Sequence, residues 1–298
     1  MHLVVDIGNT DIVCGFYTSE GWQVCLRTPT HQPWTAIRLE HWIQKELAEK
    51  GFETVRVESV LISSVVPPVL IQIQKGLEHW VGFPAKIMGP DLYKCLPIDV
   101  VSPDEIGADL VANSVYAHHH YASEVLIVDF GTALTFTLVD QKGKMQGVSI
   151  APGLKTAVKS LFSQTAQLPE VPLEMPASAL GFDTVSAIQS GILWGYVGMV
   201  KEMIARVKAE RKVEVKVIAT GGLSSILTPL EQYFDEVNKL ITLEGLVRML
   251  PHQLVPEARD PVGPWVLVGA NDKTGSTRRF QGRAQLIPPR TESGRRSP

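Results

Sequence analysis

The chain has 298 residues, of which 45% are hydrophobic and 20% are charged, a balance typical of a globular protein with a sizeable core. It contains no run of eighteen apolar residues and no basic amino-terminal segment, so we expect neither a membrane span nor a signal peptide. Cys14, Cys25 and Cys95 are too widely spaced for a paired metal motif, and their odd number favours a reducing compartment, the cytoplasm.

The net charge of −3 conceals an asymmetry between the body of the chain and its end. Residues 271–298 hold seven basic and two acidic residues, so the preceding residues are strongly acidic. An acidic body argues against nucleic-acid binding, and an anionic nucleotide would reach it as a metal complex. The basic end has few aromatic residues and no amphipathic period, which favours a solvated terminus over a nucleic-acid or membrane-surface arm.

The first predicted element is a β-hairpin from Leu3 to Val13, LVVDIGNTDIV. Its tip carries Asp6, Gly8, Asn9, Thr10 and Asp11. A glycine lets backbone N–H groups approach a phosphate, and Asn9 and Thr10 add donors. The Asp6 carboxylate would repel a bare phosphate, so a phosphate site here requires an intervening cation; the alternative is an ordinary polar turn.

The next residues predict alternating strands and helices. We expect strands over 22–27, 55–65 and 84–88 and helices over 33–50 and 67–81. Together with the hairpin these elements give the order β-β-β-α-β-α-β.

A helix is predicted from Ser102 to about Tyr121, because Ser102 can cap it, proline follows at the first helical position and Glu105 at the third. Its polar residues, spaced at helical intervals, share one face: Glu105, Asp109, Asn113, Tyr116 and His120. This face is either simply solvated or carries a catalytic carboxylate at Asp109, next to the small residues Gly107 and Ala108. Such a carboxylate can accept the proton of a hydroxyl that attacks a phosphate.

The second half repeats the pattern of the first. An apolar strand leads into Asp129, Gly131 and Thr132, 123 residues after the corresponding aspartate, and strands are expected over 134–140 and 145–150. A third glycine turn, Gly221-Gly222, follows another apolar strand that starts at Val217. These three turns suggest duplicated lobes, each presenting one phosphate loop to a shared cleft.

Two further helices are expected, over 155–167 and 184–209, the second capped by Asp183. Gly191, Gly195 and Gly198 give the second helix a flat face, which suits either a dimer interface or packing on a sheet. The run 118–120 of three histidines is not a metal site, since consecutive helical residues point about 100° apart.

The ordered motifs DIGNT, DFGTA and ATGG resemble the two phosphate elements and the adenosine element of the acetate kinase/sugar kinase/Hsp70/actin superfamily. Further stretches, PDEIGAD, IAPGL, TAQLPEV, DTVSAIQSGILWGYVG and TLEGL, resemble the type III pantothenate kinase family, and the resemblance runs from residue 1 to about Leu250. It implies an α/β fold of two ribonuclease-H-like lobes around a nucleotide cleft, at residues 1–122 and 123–250. Residues 251–298 are then an extension, mostly disordered, with one added strand between Trp265 and Ala270.

The resemblance also implies a function. It is the ATP-dependent phosphorylation of pantothenate to 4'-phosphopantothenate, the first step of coenzyme A biosynthesis, with Asp109 as general base. Mg²⁺ would accompany ATP, and Asp129 would bind a monovalent cation, K⁺ or NH₄⁺. The implied ATP-binding residues are Asp6, Ile7, Gly8, Asn9, Thr10, Asp11, Ile12, Val13 and Thr132, and the implied pantothenate-binding residues are Gly107, Ala108, Asp109 and Thr184. The family is dimeric, which implies a homodimer whose site is completed across the interface.

Three residues depart from the family pattern. Leu110 stands where the family usually has an arginine that can hold the substrate carboxylate, Val100 replaces a tyrosine, and Thr137 replaces an aspartate near the nucleotide. These departures leave two alternatives to an active pantothenate kinase. One is a catalytically impaired relative that acts as a regulatory or binding protein, and the other is a kinase for a different hydroxyl acceptor.

Overall fold

The computed structural model describes residues 1–164, 168–253 and 265–267, and its main features are two five-stranded mixed sheets. Within these residues, no helix is both long and apolar enough to cross a membrane. The short strand near the end of the chain pairs outside both sheets.

The first sheet begins with the predicted hairpin and a third antiparallel strand. Its strands are β1 (His2–Ile7), β2 (Asp11–Thr18), β3 (Gly21–Pro29), β5 (Ser59–Ser64) and β6 (Lys86–Ile87), in the order β3-β2-β1-β5-β6. The strands β5 and β6 run parallel to β1, which places the carboxyl ends of β1 and β5 at one edge.

The second sheet repeats this topology. Its strands are β7 (Glu124–Phe130), β8 (Ala133–Val139), β9 (Met145–Pro152), β10 (Val215–Thr220) and β11 (Glu236–Val237), in the order β9-β8-β7-β10-β11. Here too a three-stranded antiparallel meander is followed by two strands parallel to its first strand. The duplication predicted from the two aspartate–glycine motifs is therefore confirmed.

Eight α-helices connect and cover the sheets in the described part of the chain. They are α1 (Ala36–Glu49), α2 (Pro67–Val81), α3 (Pro90–Tyr93), α4 (Ala108–His120), α5 (Leu154–Gln164), α6 (Thr184–Gln189), α7 (Gly195–Glu210) and α8 (Ile241–Met249). The predicted long helix after Asp183 is continuous through α6 and α7, but five residues between them, Ser190–Trp194, form a wider π-helical turn. Short 3-10 segments span Thr228–Tyr233 and Leu250–Gln253.

Two boundary predictions were wrong. The strand expected over 55–65 is divided into β4 (Thr54–Arg56) and β5, and only β5 joins the large sheet. The helix expected from Ser102 starts instead at Ala108, because Ser102 has a positive φ of 47° and its carbonyl accepts from Glu105 and Ile106 in one closed turn. Extended backbone at Gly107 then separates this turn from the helix.

In the described part of the chain the hydrophobic core has three parts, and the middle one positions the site. One part lies between the first sheet and α1 and α2, and another lies between the second sheet and α7. The middle part is built from α4 and α8 with residues of both sheets. The two helices approach closely because Gly245 in α8 has no side chain, and a Cβ there would clash with the Ala112 carbonyl of α4.

The strand expected between Trp265 and Ala270 is observed at β12 (Trp265–Leu267), which pairs antiparallel with β4. Other residues of the predicted extension, 254–264 and 268–298, lie outside the described residues. The prediction that they are mostly disordered concerns those residues and stays a prediction. The lobe boundaries at 122 and 250 stay predictions.

Candidate active site

A cavity of about 530 Å³ opens between the two sheets, at the ends of β1, β7 and β10. The side chains and backbone that line it come from both hairpin tips, the start of α4, the start of α5 and the segment before α8. The polar and charged lining residues are Asp6, Asn9, Thr10, Asp11, Arg27, Asp109, Asp129, Thr132, Thr135, Lys155, Thr156, Thr220, Lys239 and Thr242. The cavity therefore has a polar wall of the kind that suits a nucleotide.

The first hairpin tip is held in shape by backbone bonds. The Gly8 N–H donates to the Asp11 carbonyl at 3.0 Å, and Thr30 donates through its hydroxyl to the Gly8 carbonyl at 2.7 Å. Asn9 and Thr10 are exposed at the tip and line the cavity. Of the residues implied to bind ATP in this loop, Ile7 and Ile12 are fully buried in the core and can contribute only backbone groups.

The second hairpin tip mirrors the first. The Gly131 N–H donates to the Ala133 carbonyl at 3.1 Å, and the Thr132 carbonyl accepts from the Thr156 hydroxyl of α5 at 2.8 Å. The two tips meet across the cavity, where the Thr10 and Thr132 hydroxyl oxygens are 2.9 Å apart and share a hydrogen bond. Two loops predicted 123 residues apart in the sequence thus form opposite sides of one cavity.

The third glycine turn closes the cavity floor beside β7. Thr220 pairs with Asp129 in the sheet, and Gly221 follows with φ +87°, a conformation that favours glycine. A Cβ at Gly221 would lie 2.6 Å from the Phe130 carbonyl and 2.7 Å from Asp129 Oδ1. Glycine is therefore required here both for the backbone angle and for the close approach to Asp129.

Three carboxylates face the cavity without a basic side chain bonded to any of them in the described residues. Asp6 accepts a hydrogen bond from the Ser63 hydroxyl at 3.0 Å, and Asp129 accepts one from the Asn113 amide at 3.3 Å. Burial and, to a smaller extent, the nearby negative charge of Asp109 together raise the pKa of Asp6 and of Asp129 to about 7. Burial also raises the pKa of Asp109.

Asp109 lies in the first turn of α4, where its Oδ1 accepts from the Leu110 N–H at 2.8 Å. The carboxylate folds back over Gly107, whose missing Cβ would otherwise meet Asp109 Oδ1. Gly107 and the buried Ala108 thus position Asp109. Of the residues Gly107, Ala108 and Asp109, Asp109 is the one that lines the cavity. Of the polar face proposed as solvated, Asn113 is 0% and Tyr116 3% exposed, so that interpretation is wrong for these two residues.

The donor set of the cavity fits hard cations. Carboxylate and hydroxyl oxygens are the ligands that Mg²⁺ and K⁺ prefer. Asp6 and Asp129 have pKa values of about 7, first because they are buried and second because the charge of Asp109 repels them. A cation between them would remove that repulsion. Among the described residues, no group of three or more histidine, cysteine, aspartate or glutamate side chains is arranged to hold a metal ion by itself.

Among the described residues, three cationic side chains line the cavity, and they belong to none of the sequence motifs. Arg27 pairs with Asp11 at 2.9 Å, Lys239 donates to the Ser225 hydroxyl at 3.2 Å, and Lys155 lies in the first turn of α5. No motif marks them, because each enters the cavity from a different element. Lysine and arginine side chains in the wall of this cavity favour the binding of an anionic ligand.

One residue implied to bind substrate lies elsewhere. Thr184, at the start of α6, borders a separate shallow hollow with Leu161, Ile188 and Ile192. The structure brings Asp6, Asp109, Asp129 and Thr132 together in the cavity, but it does not bring Thr184 to them within one chain.

The three departures from the family pattern have different surroundings. Leu110 is buried at 8% exposure directly beside Asp109, and Val100 is half-buried against the middle core. Thr137 is 1% exposed inside β8 and does not line the cavity, and its position near the nucleotide stays a prediction. Its hydroxyl has no hydrogen-bond partner among the described residues.

Comparison with known proteins agrees with this geometry. The sequence profile of the type III pantothenate kinase family matches residues 2–206. A type III pantothenate kinase from Geobacter sulfurreducens is 38% identical over 246 residues, which are 83% of this chain and 96% of that protein.

Two solved structures share the fold at low sequence identity. One, described as a Baf family transcriptional activator from Campylobacter jejuni, has a TM-score of 0.52 at 17% identity and covers 84% of this chain and 98% of its own. The other, described as a 2-dehydro-3-deoxygalactonokinase from Sinorhizobium meliloti, has a TM-score of 0.51 at 14% identity and covers 86% and 100%. The predicted two-lobed α/β fold is confirmed, and the chain belongs to the type III pantothenate kinase family.

Proposed function

We propose that this chain transfers the γ-phosphate of ATP to the primary hydroxyl of pantothenate in the cavity between its sheets, with Asp109 as the general base. The observation that carries the proposal is that Asp109 shares one cavity with both phosphate loops, which come from opposite halves of the chain. As a member of its family the chain is an ATP-dependent kinase of coenzyme A biosynthesis.

The nucleotide is held by the two hairpin tips. Backbone N–H groups around Gly8 and Gly131, with the hydroxyls of Thr10 and Thr132, provide donors for phosphate oxygens from both sides. The hydrogen bond between these hydroxyls gives way as the phosphates enter. The turn at Gly221 and Gly222 then borders the adenosine side of the cavity.

Asp109 takes the proton of the attacking hydroxyl. Its pKa is raised by burial, which makes the carboxylate a better proton acceptor than an exposed aspartate. The Leu110 N–H fixes one carboxylate oxygen at 2.8 Å, so the other is free to meet the substrate. Most of the remaining rate acceleration comes from holding hydroxyl and phosphate in line.

Two kinds of cation complete the proposed site. Asp6 would hold the Mg²⁺ that accompanies ATP, and Asp129 would hold K⁺ or NH₄⁺. When bound, these ions would supply positive charge that neutralises the phosphate oxygens. The support for them is that two buried carboxylates lie close to a third: burial first, and the charge of Asp109 second, raise the pKa of Asp6 and of Asp129 to about 7, so that a cation would stabilise their ionised forms.

We also propose a cytoplasmic homodimer whose site is completed across the interface. Six of the twelve large apolar side chains exposed in the described residues fall between Val148 and Val185, on β9, α5, α6 and the loop before α6. Around Gly191, Gly195 and Gly198 there is open space, so no other described part of the chain uses this flat face. In such a dimer Thr184 contacts the substrate in the cavity of the second copy.

The first test is ADP release with pantothenate as acceptor, with and without K⁺. We expect K⁺-dependent turnover that Asp109→Asn lowers at least about a hundredfold, while ATP affinity changes little, because the substitution removes the base and keeps the side-chain shape. Asp104→Asn, an exposed acid five residues earlier, is the matched control and should retain activity.

ATP binding without turnover of pantothenate would contradict the proposal. A panel of other primary alcohols then shows whether Leu110, where the family usually has an arginine, has changed the acceptor.

A further inference from the structure

Asn113 is a polar side chain that is completely buried between the two lobes. It is 0% exposed and lies in α4 one turn after Asp109, on the same face of the helix. Its amide nitrogen donates to Asp129 Oδ2 at 3.3 Å, and its amide oxygen accepts from the Thr242 hydroxyl at 2.8 Å. A buried amide with both ends bonded has one fixed orientation.

Thr242 reaches Asn113 because α8 lies unusually close to α4. Gly245, three residues after Thr242, rests on the Ala112 carbonyl, and any side chain there would push the helices apart. Ala112 directly precedes Asn113, so the contact that sets the helix spacing is adjacent to the hydrogen bond. The Thr242 hydroxyl donates to the amide oxygen and thereby turns the amide nitrogen towards Asp129.

The two oxygens of Asp129 consequently have different surroundings. Oδ2 is occupied by Asn113, whereas Oδ1 points to the glycine turns, 2.7 Å from the position that a Cβ would take at Gly221 and 3.6 Å from that at Gly131. An aspartate carboxyl group rotates over a broad range when nothing holds it. One bonded oxygen is enough to select the orientation that presents the other to the cavity.

We propose that Asn113 and Thr242 are positioning residues, which hold the Asp129 carboxylate so that Oδ1 is presented to the monovalent cation in the cavity. The inference rests on the proposed role of Asp129. It gives a function to Thr242 in the TLEGL motif, which lies at the start of α8 and lines the cavity. Residues of this kind, which bond the ligand rather than the ion, commonly change ion affinity tenfold or more.

The test uses Thr242→Val, which removes the hydroxyl and keeps the branched shape. We expect the K⁺ concentration for half-maximal activation to rise about tenfold, with kcat at saturating K⁺ changed much less. Thr242→Ser, which restores a hydroxyl, should return most of the K⁺ affinity. Ser114→Ala is the matched control, because it removes a buried hydroxyl of α4, next to Asn113, whose hydrogen-bond partner among the described residues is the Leu110 carbonyl and not the Asp129 network.

A second readout does not depend on turnover. The thermal midpoint with Mg²⁺ and a non-hydrolysable ATP analogue is compared in K⁺ and in Na⁺ at equal ionic strength. We expect the K⁺-specific rise of the wild type to be lost in Thr242→Val and kept in Ser114→Ala.

An equal loss of midpoint in both salts, with an unchanged K⁺ constant, would mean that Thr242 is only structural and would overturn the inference. Turnover by the wild type that is independent of the monovalent cation would overturn it too, and would leave the kinase assignment intact. If the wild type does not phosphorylate pantothenate at all, the proposed function fails, and the K⁺-specific midpoint shift still decides the role of Thr242.

Discussion

At the scale of one residue, Asp6 is a carboxyl group whose ionised form is destabilised by its surroundings. Its carboxylate ends a buried strand, and burial together with the charges of Asp109 and Asp129 raises its pKa to about 7. Ser63 alone donates a hydrogen bond to it among the described residues. In the absence of a cation the ionised form is therefore costly, and a bound cation is the natural way to offset that cost.

The first consequence is a pH-dependent effect of Asp6→Asn on stability. The folded-state pKa of about 7 lies above the unfolded value of 3.8, so the native protein binds more protons between these values and this group makes it less stable as pH rises. Asparagine mimics the protonated form. Since one pKa unit corresponds to about 1.4 kcal/mol, we expect the gain of the variant to grow from about pH 4 to about pH 7, so that the gain at about pH 8 exceeds the gain at about pH 5 by more than about 1 kcal/mol.

Urea unfolding of the nucleotide-free protein, without divalent cations, measures this difference. Asp91→Asn is a control of opposite sign, because Lys94 holds the pKa of the exposed Asp91 low and the pair is lost on substitution. A gain for Asp6→Asn that is equal at both pH values would contradict the electrostatic explanation.

Other residues of the site differ in how visible they are in the sequence. Asp6, Asp109, Asp129 and Thr132 belong to motifs, and they meet in the cavity as expected. Lys155 and Lys239 carry no motif, since a lysine is common on any surface and only its neighbours reveal that it faces an anionic ligand.

At the scale of elements, local sequence signals predict where the chain turns but not always whether a helix starts there. The serine, proline and glutamate near position 102 predict a helix start, and the structure has a single closed turn before α4 begins at Ala108. The helix starts later because Ser102 has a positive φ and closes a separate turn, after which Gly107 is extended. The boundary lies six residues after Ser102, and Asp109 in the first turn of the helix lines the cavity.

The turn after β10 gives a prediction with a built-in control. Gly221→Ala should destabilise the fold by more than about 1 kcal/mol, since φ is +87° and a Cβ would lie 2.6 Å from the Phe130 backbone. It should also weaken ATP binding, because the strain falls on the strand that carries Asp129. Gly222→Ala is the adjacent control, where a Cβ would meet nothing within 4 Å.

Chemical denaturation and nucleotide titration of both variants provide the measurement. If the two substitutions cost the same stability, the close approach of Gly221 to Phe130 does not constrain the turn.

At the scale of the whole molecule, the two sheets with identical strand order bring the hairpin tips face to face. The tips share the Thr10–Thr132 hydrogen bond, and α4 and α8 fill the space behind them with a core drawn from both halves. The cavity therefore exists only when both halves are folded and docked.

The surface beside β9 is the basis of a prediction about assembly. Ile150 is 71% exposed on this edge strand, and Ile150→Lys should shift a homodimer towards monomer, because it places a charge in the proposed interface. Ile37→Lys is the matched control, since Ile37 is 79% exposed on α1 in the other half. Sedimentation velocity at several protein concentrations measures both variants.

A wild type that stays monomeric, or a dimer unaffected by Ile150→Lys, would contradict this interface. Loss of activity together with the dimer would support a site completed by Thr184 of the second copy.

The sequence by itself determined the family, the duplicated strands and the residues of the three glycine turns, because those features are local patterns of apolar runs, aspartates and glycines. Only the tertiary structure decided which groups meet. In the sequence, Asn113 is one polar residue on a predicted helix and Thr242 is part of a short motif. In the structure, α8 packs on α4, and hydrogen bonds connect Thr242 to Asn113 and Asn113 to Asp129. The physical reason is that contacts between residues far apart in the chain depend on helix spacing and sheet order, which no single segment encodes.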